Sequence, residues 1–223
     1  MKGVKFVITV TREEWLKQRN NGIGSSDVAA VLGLSPYKSN VDLWEEKVGI
    51  RTPADISEVE YVMNGTMSED PLRKLFAIDY QEYEVLHQEN EMLINPEYNF
   101  IRCSPDSILL EKETGRKGFL EIKRCEMANG AQYLKWKDGR IPDYYYTQTL
   151  QYFLADPEMQ FGYLRAYLIR HLGDGSIARE IRDYKIADSR KEICSDLEYL
   201  LPKEIEFWQS VIERRRPARI LSL

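Results

Sequence analysis

Glu69, Asp106, Glu121 and Lys123 are the residues of this chain best suited to hydrolytic chemistry. They stand in three short segments: Gly65-Thr-Met-Ser-Glu69, Ser104-Pro105-Asp106 and Gly118-Phe-Leu-Glu121-Ile122-Lys123. Residues 107–120 separate Asp106 from Glu121. Side chains of a strand repeat every two residues, so Glu121 and Lys123 share one face and Leu120 and Ile122 the other. A carboxylate and an ammonium on one strand face, opposite another acid, make a place for a metal ion and an attacking water. That is the pattern of a metal-dependent nuclease. An E-x-K on a strand is by itself more often a solvated pair. The Ser-Pro-Asp segment at this distance and the upstream Glu69 outweigh that plainer reading.

Phosphodiester hydrolysis needs an activated water, a cation to stabilise the developing charge, and a leaving group that can be neutralised. A pair of Mg²⁺ ions held by carboxylates meets all of these needs. Mg²⁺ prefers oxygen ligands and keeps several waters, so a few carboxylates and a backbone carbonyl suffice. Asp106 and Glu121 are the expected core ligands, the Ile122 carbonyl a further one, and Glu69 completes the set. Lys123 is expected to orient or help deprotonate the water, or to stabilise charge on the phosphate. Downstream, Gln148 shares a helix face with Tyr152, and also with Gln151. Part of this aromatic run must be core. A glutamine from it could reach the metal site, and either Gln148 or Gln151 could supply it.

The elements that must position these residues follow from patterning. The chain has 223 residues, 43% hydrophobic and 30% charged, as expected for one globular domain with a substantial core. Thr11-Arg-Glu-Glu14 is a capping box that opens a helix over 12–19. Ser25 or Ser26 is expected to cap a short helix over 27–32. Ser39 or Asn40 opens another through 47, stopped by Gly49. Residues 56–78 have helical spacing, with Gly65 as a soft point. Strands are expected over 84–94, 100–103, 107–111 and 119–123, as an antiparallel meander turning at Thr114-Gly115. Helices over 127–137 and 143–154 follow, then a hairpin of 161–170 and 177–184 around Gly173-Asp-Gly175. A long helix covers 188–215, with Pro202 as a possible break. This order predicts an α/β (α+β) fold with a central mixed sheet flanked by helices.

Composition excludes other chemistries. His87 and His171 are the only histidines, which leaves little for a zinc centre or a Ser-His-Asp device. Cys103, Cys125 and Cys194 have no C-x-x-C spacing, so a reducing compartment is expected, with Cys103 and Cys125, beside the acidic motifs, as small buried hydrophobes. No stretch has the length of a membrane span and the N-terminus has no signal-peptide run, so the expected location is cytoplasmic, with no membrane partner. The net charge is −5. DNA contact then depends on local basic groups, for which Arg214-Arg215-Arg216 and Lys135/Lys137/Arg140 are candidates. The arginine triplet also suits the C-terminus of the last helix. Of Trp15, Trp44, Trp136 and Trp208, most are expected in the core.

Ordered blocks of this sequence resemble a known family. Residues 19–37, from Arg19-Asn-Asn-Gly22-Ile23-Gly24-Ser25-Ser26-Asp27 to Ser35-Pro36-Tyr37, are similar to an R-x-x-G-I-G-x-S-D…S-P-Y block. Gly65 to Glu69, Ser104-Pro105-Asp106, Glu121-Ile122-Lys123 and Gln148-x-x-x-Tyr152 follow in the same order. The chain resembles the lambda-exonuclease-like alkaline exonucleases, the YqaJ-type viral recombinase nucleases of the PD-(D/E)xK superfamily. The resemblance implies that Arg19 and Ser26 hold a terminal 5′-phosphate, a role suited to a guanidinium and a hydroxyl beside a helix N-terminus. It further implies a restriction-endonuclease-like core and 5′→3′ digestion of one strand of duplex DNA ends, leaving 3′ overhangs. Mg²⁺ is the expected ion, with Mn²⁺ as a substitute. A homotrimeric ring and a single-strand annealing partner in phage recombination belong to the same picture.

The implied organisation is one nuclease domain over 1–223: a 5′-phosphate part at about 11–50, a core at about 55–185, and a C-terminal helix at about 188–215. Four positions depart from the pattern. Ser107 replaces the usual glycine, Arg124-Cys125 stands for Cys-Pro, Asp70 precedes Pro71, and Gln151 follows Gln148 by three. None removes an acid or the lysine. The same core would also serve an endonuclease or single-strand nuclease, and a DNA-end-binding module with silent residues is the non-enzymatic alternative.

Overall fold

The computed structural model describes residues 5–8, 11–127 and 129–221. In chain order its strands are β1 (Lys5–Ile8), β2 (Tyr83–Leu86), β3 (Glu91–Ile94), β4 (Arg102–Cys103), β5 (Ser107–Glu111), β6 (Lys117–Met127), β7 (Met159–His171) and β8 (Ile177–Ala187). The helices are α1 (Arg12–Asn20), α2 (Val28–Val31), α3 (Asn40–Lys47), α4 (Glu60–Asp79), α5 (Gly130–Leu134), α6 (Asp143–Ala155) and α7 (Cys194–Ile212).

A five-stranded mixed sheet of order β2-β5-β6-β7-β8 forms the centre. Its pairs are antiparallel except β6 with β7, which run parallel along Lys117–Met127. The β6–β7 connection is the segment holding α5 and α6, since parallel neighbours need a long crossover. Helices cover both faces. Leu72 and Phe76 of α4 pack on Leu120 and Ile122, while Tyr152 and Phe153 of α6 pack on Phe119. The alternation expected for β6 is therefore the observed one. Gly162 on β7 is required by close packing: a Cβ there would stand 2.2 Å from the Phe119 ring.

Several helix signals act as read. Thr11 and Glu14 form the capping box of α1. Ser39 caps α3, and Gly49 follows it at φ 78°. The hairpin of β7 and β8 forms around Gly175 at φ 84°. Pro202 lies inside α7 and Gly65 and Pro71 inside α4 without ending either helix. Trp44 and Trp136 are core residues, and Trp208 stacks on Phe100 at 5.7 Å.

Other expectations are corrected. Residues 84–94 are not one strand. Asn90 turns the chain in the left-handed region, at φ 57°, and the halves enter different sheets. β3 joins β1 and β4 in a three-stranded antiparallel sheet, so the expected meander is divided between two sheets. The expected strand over 100–103 is only Arg102–Cys103. The helix expected from 127 shrinks to Gly130–Leu134, capped by Asn129, because pairing with β7 carries β6 on to Met127. Neither Ser25 nor Ser26 caps the helical turn at 25–27; the Asp27 carboxylate accepts from the Gly24 N–H at 3.1 Å instead. Helix α4 begins four residues later than expected, and α7 follows a separate turn at Arg190–Ile193.

Arg165, at the middle of β7 and only 1% exposed, ties the sheet to α4. It donates to Asp183 on β8 at 2.8 and 2.7 Å and to Asp79 at the end of α4 at 2.6 Å. Its guanidinium lies 4.9 Å from the Phe76 ring centre. Removing one member of a buried ion pair leaves an uncompensated charge, at a cost of roughly 3–5 kcal/mol. Arg165→Ala is expected to destabilise the fold by about that amount in urea denaturation. Arg165→Lys should recover only part, because an ammonium cannot make the forked contact.

Candidate active site

A cleft of about 670 Å³ is lined by Arg19, Ser26, Glu69, Asp106, Glu121, Lys123 and Gln148. These seven side chains thus border one cavity, although they come from six different segments.

Glu121 lies at its base and is 2% exposed. Lys123, on the same face of β6, forms an ion pair with it. The Gln148 Nε2 donates to Glu121 Oε1 at 2.7 Å, and the Tyr152 hydroxyl donates to Oε2. A buried carboxylate is tolerated where donors meet it in this way. Gln148 and Tyr152, one turn apart on α6, reach it together. Gln151 faces elsewhere and donates to the Ile23 carbonyl at 3.0 Å, so Gln148 is the glutamine on the carboxylate side.

Asp106 stands where the chain passes from β4 in the small sheet to β5 in the large one. Its carboxylate accepts from the Ile122 N–H at 2.6 Å. A strand residue sends its N–H and carbonyl to the same side, so the Ile122 carbonyl also faces the edge where Asp106 sits. The main-chain carbonyl of Asp106 is held by three groups. Ser107 Oγ donates to it at 2.6 Å, Arg73 Nε lies at 3.3 Å and His87 Nδ1 at 2.9 Å. Ser107, in the usual glycine position, therefore contributes a donor.

Glu121 perturbs the two other acids. Burial, and then the charge of Glu121, push Asp106 well above the ordinary aspartate range. The same causes raise Glu69, which reaches the cleft from α4. Burial alone would lower Lys123, but Glu121 and Asp106 outweigh it and raise the lysine, so it is an ammonium at neutral pH. Among the described residues, no cluster of three or more His, Cys, Asp or Glu side chains is poised to hold a metal ion. The Glu121 oxygens are engaged by Lys123, Gln148 and Tyr152. The donor chemistry nevertheless fits a hard cation. It consists entirely of oxygens, and three mutually repelling carboxylates share one ammonium.

Also lining the cleft, Arg19 donates to Ser26 Oγ. The Arg19 guanidinium lies 5.2 Å from the Trp15 ring centre, and Trp15 Nε1 donates to Ser104 Oγ at 3.2 Å. Trp15 thereby connects the Arg19 region to the Ser-Pro-Asp segment. The helix following Ser26 is one tight turn and the four residues of α2. Its short length gives little macrodipole, so anion binding there would rest on the Arg19 and Ser26 side chains rather than on the helix N-terminus.

Sequence reasoning missed Arg73, His87 and Trp15 as neighbours of the site, and the Tyr152 hydroxyl as a donor to Glu121. The i, i+4 spacing of Gln148 and Tyr152 was a usable signal; the others are brought in by tertiary packing. The basic candidates lie outside the cleft lining. Lys135 and Arg140 line a separate groove of about 270 Å³. Arg214 reaches the Val48 carbonyl, and Arg215 pairs with Glu213. Cys103 is buried as expected, Cys125 is half-buried beside Tyr145, and Cys194 is exposed.

Comparison with known proteins places this architecture. An alkaline exonuclease from Laribacter hongkongensis, LHK-Exo, superposes with TM-score 0.59 at 16% identity, covering 92% of this chain and 96% of that one. The same enzyme in complex with dAMP gives TM-score 0.59 at 17% identity over the same shares. A phage-related exonuclease from Haemophilus somnus 129PT gives 0.50 at 13% identity, over 87% of this chain and 98% of that one. The fold is that of the alkaline exonucleases. Residues 14–155 match the YqaJ-like viral recombinase domain, and the chain belongs to that family. It is 31% identical over 206 residues to the uncharacterized protein YqaJ of Bacillus subtilis (strain 168). That match covers 91% of this chain but 57% of the relative's length. No described helix is long and apolar enough to cross a membrane.

The buried Asp27 carboxylate supports the Gly22–Ser26 segment and pairs with Lys47 at 2.8 Å and Lys38 at 3.4 Å. Burial works to raise its pKa, but Lys47, Lys38 and Arg19 overcome it and hold the group well below its ordinary 3.8. A carboxyl depressed in the folded state adds stability above its unfolded pKa, and that stability is lost as pH falls toward the folded value. Asp27→Asn is expected to cost roughly 3 kcal/mol at pH 7. The gap between the two proteins in urea denaturation should narrow as pH drops below about 4; a gap independent of pH would remove the charge from this account.

Proposed function

We propose that this chain is a metal-dependent deoxyribonuclease that digests one strand of duplex DNA 5′→3′ from a phosphorylated end, leaving a 3′ overhang. The observation that carries this reading is that Glu69, Asp106, Glu121 and Lys123 share one cleft with Arg19 and Ser26. Family membership and the alkaline exonuclease fold support it. Residues 1–223 act in this reading as one nuclease domain, with the segment at about 11–50 binding the phosphate. A homotrimer and an annealing partner belong to the same reading.

Asp106, Glu121, Glu69 and the Ile122 carbonyl would hold the ion, for which Mg²⁺ is the choice their oxygens favour. When bound, it supplies charge neutralisation at the phosphate and a water acidic enough to attack. The protein supplies the rest. Lys123 is an ammonium, so it donates to a phosphate oxygen or the water and stabilises negative charge as it develops. Gln148 orients the Glu121 carboxylate and can turn its amide to a water or phosphate oxygen. Arg19 and Ser26 receive the terminal phosphate and fix which bond meets the acids.

The test is digestion of linear duplex DNA with and without a 5′-phosphate, in Mg²⁺ and in EDTA, beside a closed circle. Metal-dependent loss of the 5′-phosphorylated strand, with the circle intact, is expected. Cutting of the circle would indicate an endonuclease, and no cutting at any Mg²⁺ level a silent end-binding module. Lys123→Ala should lower turnover by about 10²-fold or more while DNA binding persists, because the lysine serves the transition state. Near-normal turnover would remove it from the mechanism. Arg19→Ala should reduce the preference for 5′-phosphorylated over 5′-hydroxyl ends; an unchanged ratio would place the phosphate site elsewhere.

A further inference from the structure

Gln151 and Glu204 are polar residues buried in the largest apolar core, and the chemistry above uses neither. Both are 0% exposed. Gln151 sits on α6, three residues beyond Gln148, and Glu204 on α7 between Leu200 and Phe207. The amide nitrogen of Gln151 is used, donating to the Ile23 carbonyl at 3.0 Å. Among the described residues, its Oε1 has no donor and neither oxygen of Glu204 has a partner. The Glu204 carboxyl lies within hydrogen-bonding reach of the Gln151 side chain.

Two acceptors placed together in an apolar core are costly unless a proton stands between them. The charged group that faces Glu204 is Asp27, an anion engaged with Lys38 and Lys47, and it favours the neutral acid. Burial is the larger cause in the same direction and raises Glu204 well above its ordinary range, outweighing the contact with the Gln151 side chain, which acts the other way. A protonated carboxyl satisfies Gln151 Oε1, which leaves the amide nitrogen directed at Ile23.

Ile23, fully buried, anchors the segment that presents Ser26. Its carbonyl also accepts from the Arg102 N–H at 3.1 Å, and its N–H donates to the Phe100 carbonyl at 2.7 Å. The contact with Gln151 is a direct hydrogen bond between this segment and α6, the helix that brings Gln148 to Glu121. We infer that Glu204 is a neutral carboxylic acid whose O–H donates to Gln151 Oε1, and that the two are positioning residues that fix the Gly22–Ser26 segment relative to the acids of the cleft. The second half rests on the reading of Arg19 and Ser26 as a phosphate site. The first half does not.

Two measurements separate these parts. In the first, difference infrared spectra of the folded protein at pH 7, wild type minus Glu204→Gln, are recorded with and without ¹³C-labelled glutamate. A carbonyl stretch of a protonated carboxyl, moved by the label and absent from E204Q, is expected. A carboxylate signature in its place would overturn the proposal whatever the protein's activity. In the second, binding of short duplexes with a 5′-phosphate or a 5′-hydroxyl is compared in EDTA. E204Q, whose amide can donate to Gln151 Oε1, should keep the wild-type ratio, while Glu204→Leu should lower it several-fold. A ratio unchanged in E204L would overturn the positioning role, as would one lost in E204Q. If the wild type itself shows no 5′-phosphate preference, the phosphate reading fails and the positioning role with it, while the infrared result still decides the protonation of Glu204. Should E204L not fold, the ratio in E204Q decides the second part.

Discussion

A carboxylate in the middle of a sheet must be met by donors, and Glu121 imposes that condition on the elements around it. Three groups meet it: Lys123 from the same strand face, and Gln148 and Tyr152 from one turn of α6. The two helical donors fix the rotation of α6 about its axis. Tyr152 also packs edge-on against Phe119 at 4.7 Å, so one side chain fills the core with its ring and satisfies the charge with its hydroxyl. With that rotation set, Gln151 can only face away, toward Ile23 and α7. The acid on β6 thus reaches, through one helix, the segment that presents Ser26.

Much of this was legible because it obeys short periods. Alternation along 119–123 is enough to place Glu121 with Lys123 and Leu120 with Ile122 on opposite faces, since a strand admits no other arrangement. The capping boxes at Thr11 and Ser39 are equally local and read directly. What was not legible depended on long-range pairing. Residues 84–94 look like one strand until Asn90 adopts a positive φ and the halves find different partners. Met127 looks like the start of a helix until β7 extends its pairing. Ser25 and Ser26 look like caps, but Asp27, buried with Lys47, supplies the oxygen and Ser26 pairs with Arg19. The choice between Gln148 and Gln151 could not be made from spacing, because i+3 neighbours share a helix face in sequence while packing assigns them to different sides.

The candidate site joins one acid from each of three kinds of element: a central strand, a helix and a crossing between sheets. Such a site is only as precise as the contacts that hold these elements together. Arg73 of α4 reaches the Asp106 carbonyl and the Ser107 hydroxyl, so the helix that carries Glu69 also fixes Asp106. Arg165 clamps the end of the same helix to β7 and β8. Two arginines therefore determine how closely the carboxylates approach. Held there, burial and the charge of Glu121 raise Asp106 and Glu69, and Lys123 is the ammonium among them. A cluster held rigidly in mutual repulsion gains most from a ligand that brings positive charge without needing the carboxylates to move. In the proposed function a small hard cation is the ligand that meets this need, and a phosphate next to it the group that such a cation can in turn hold.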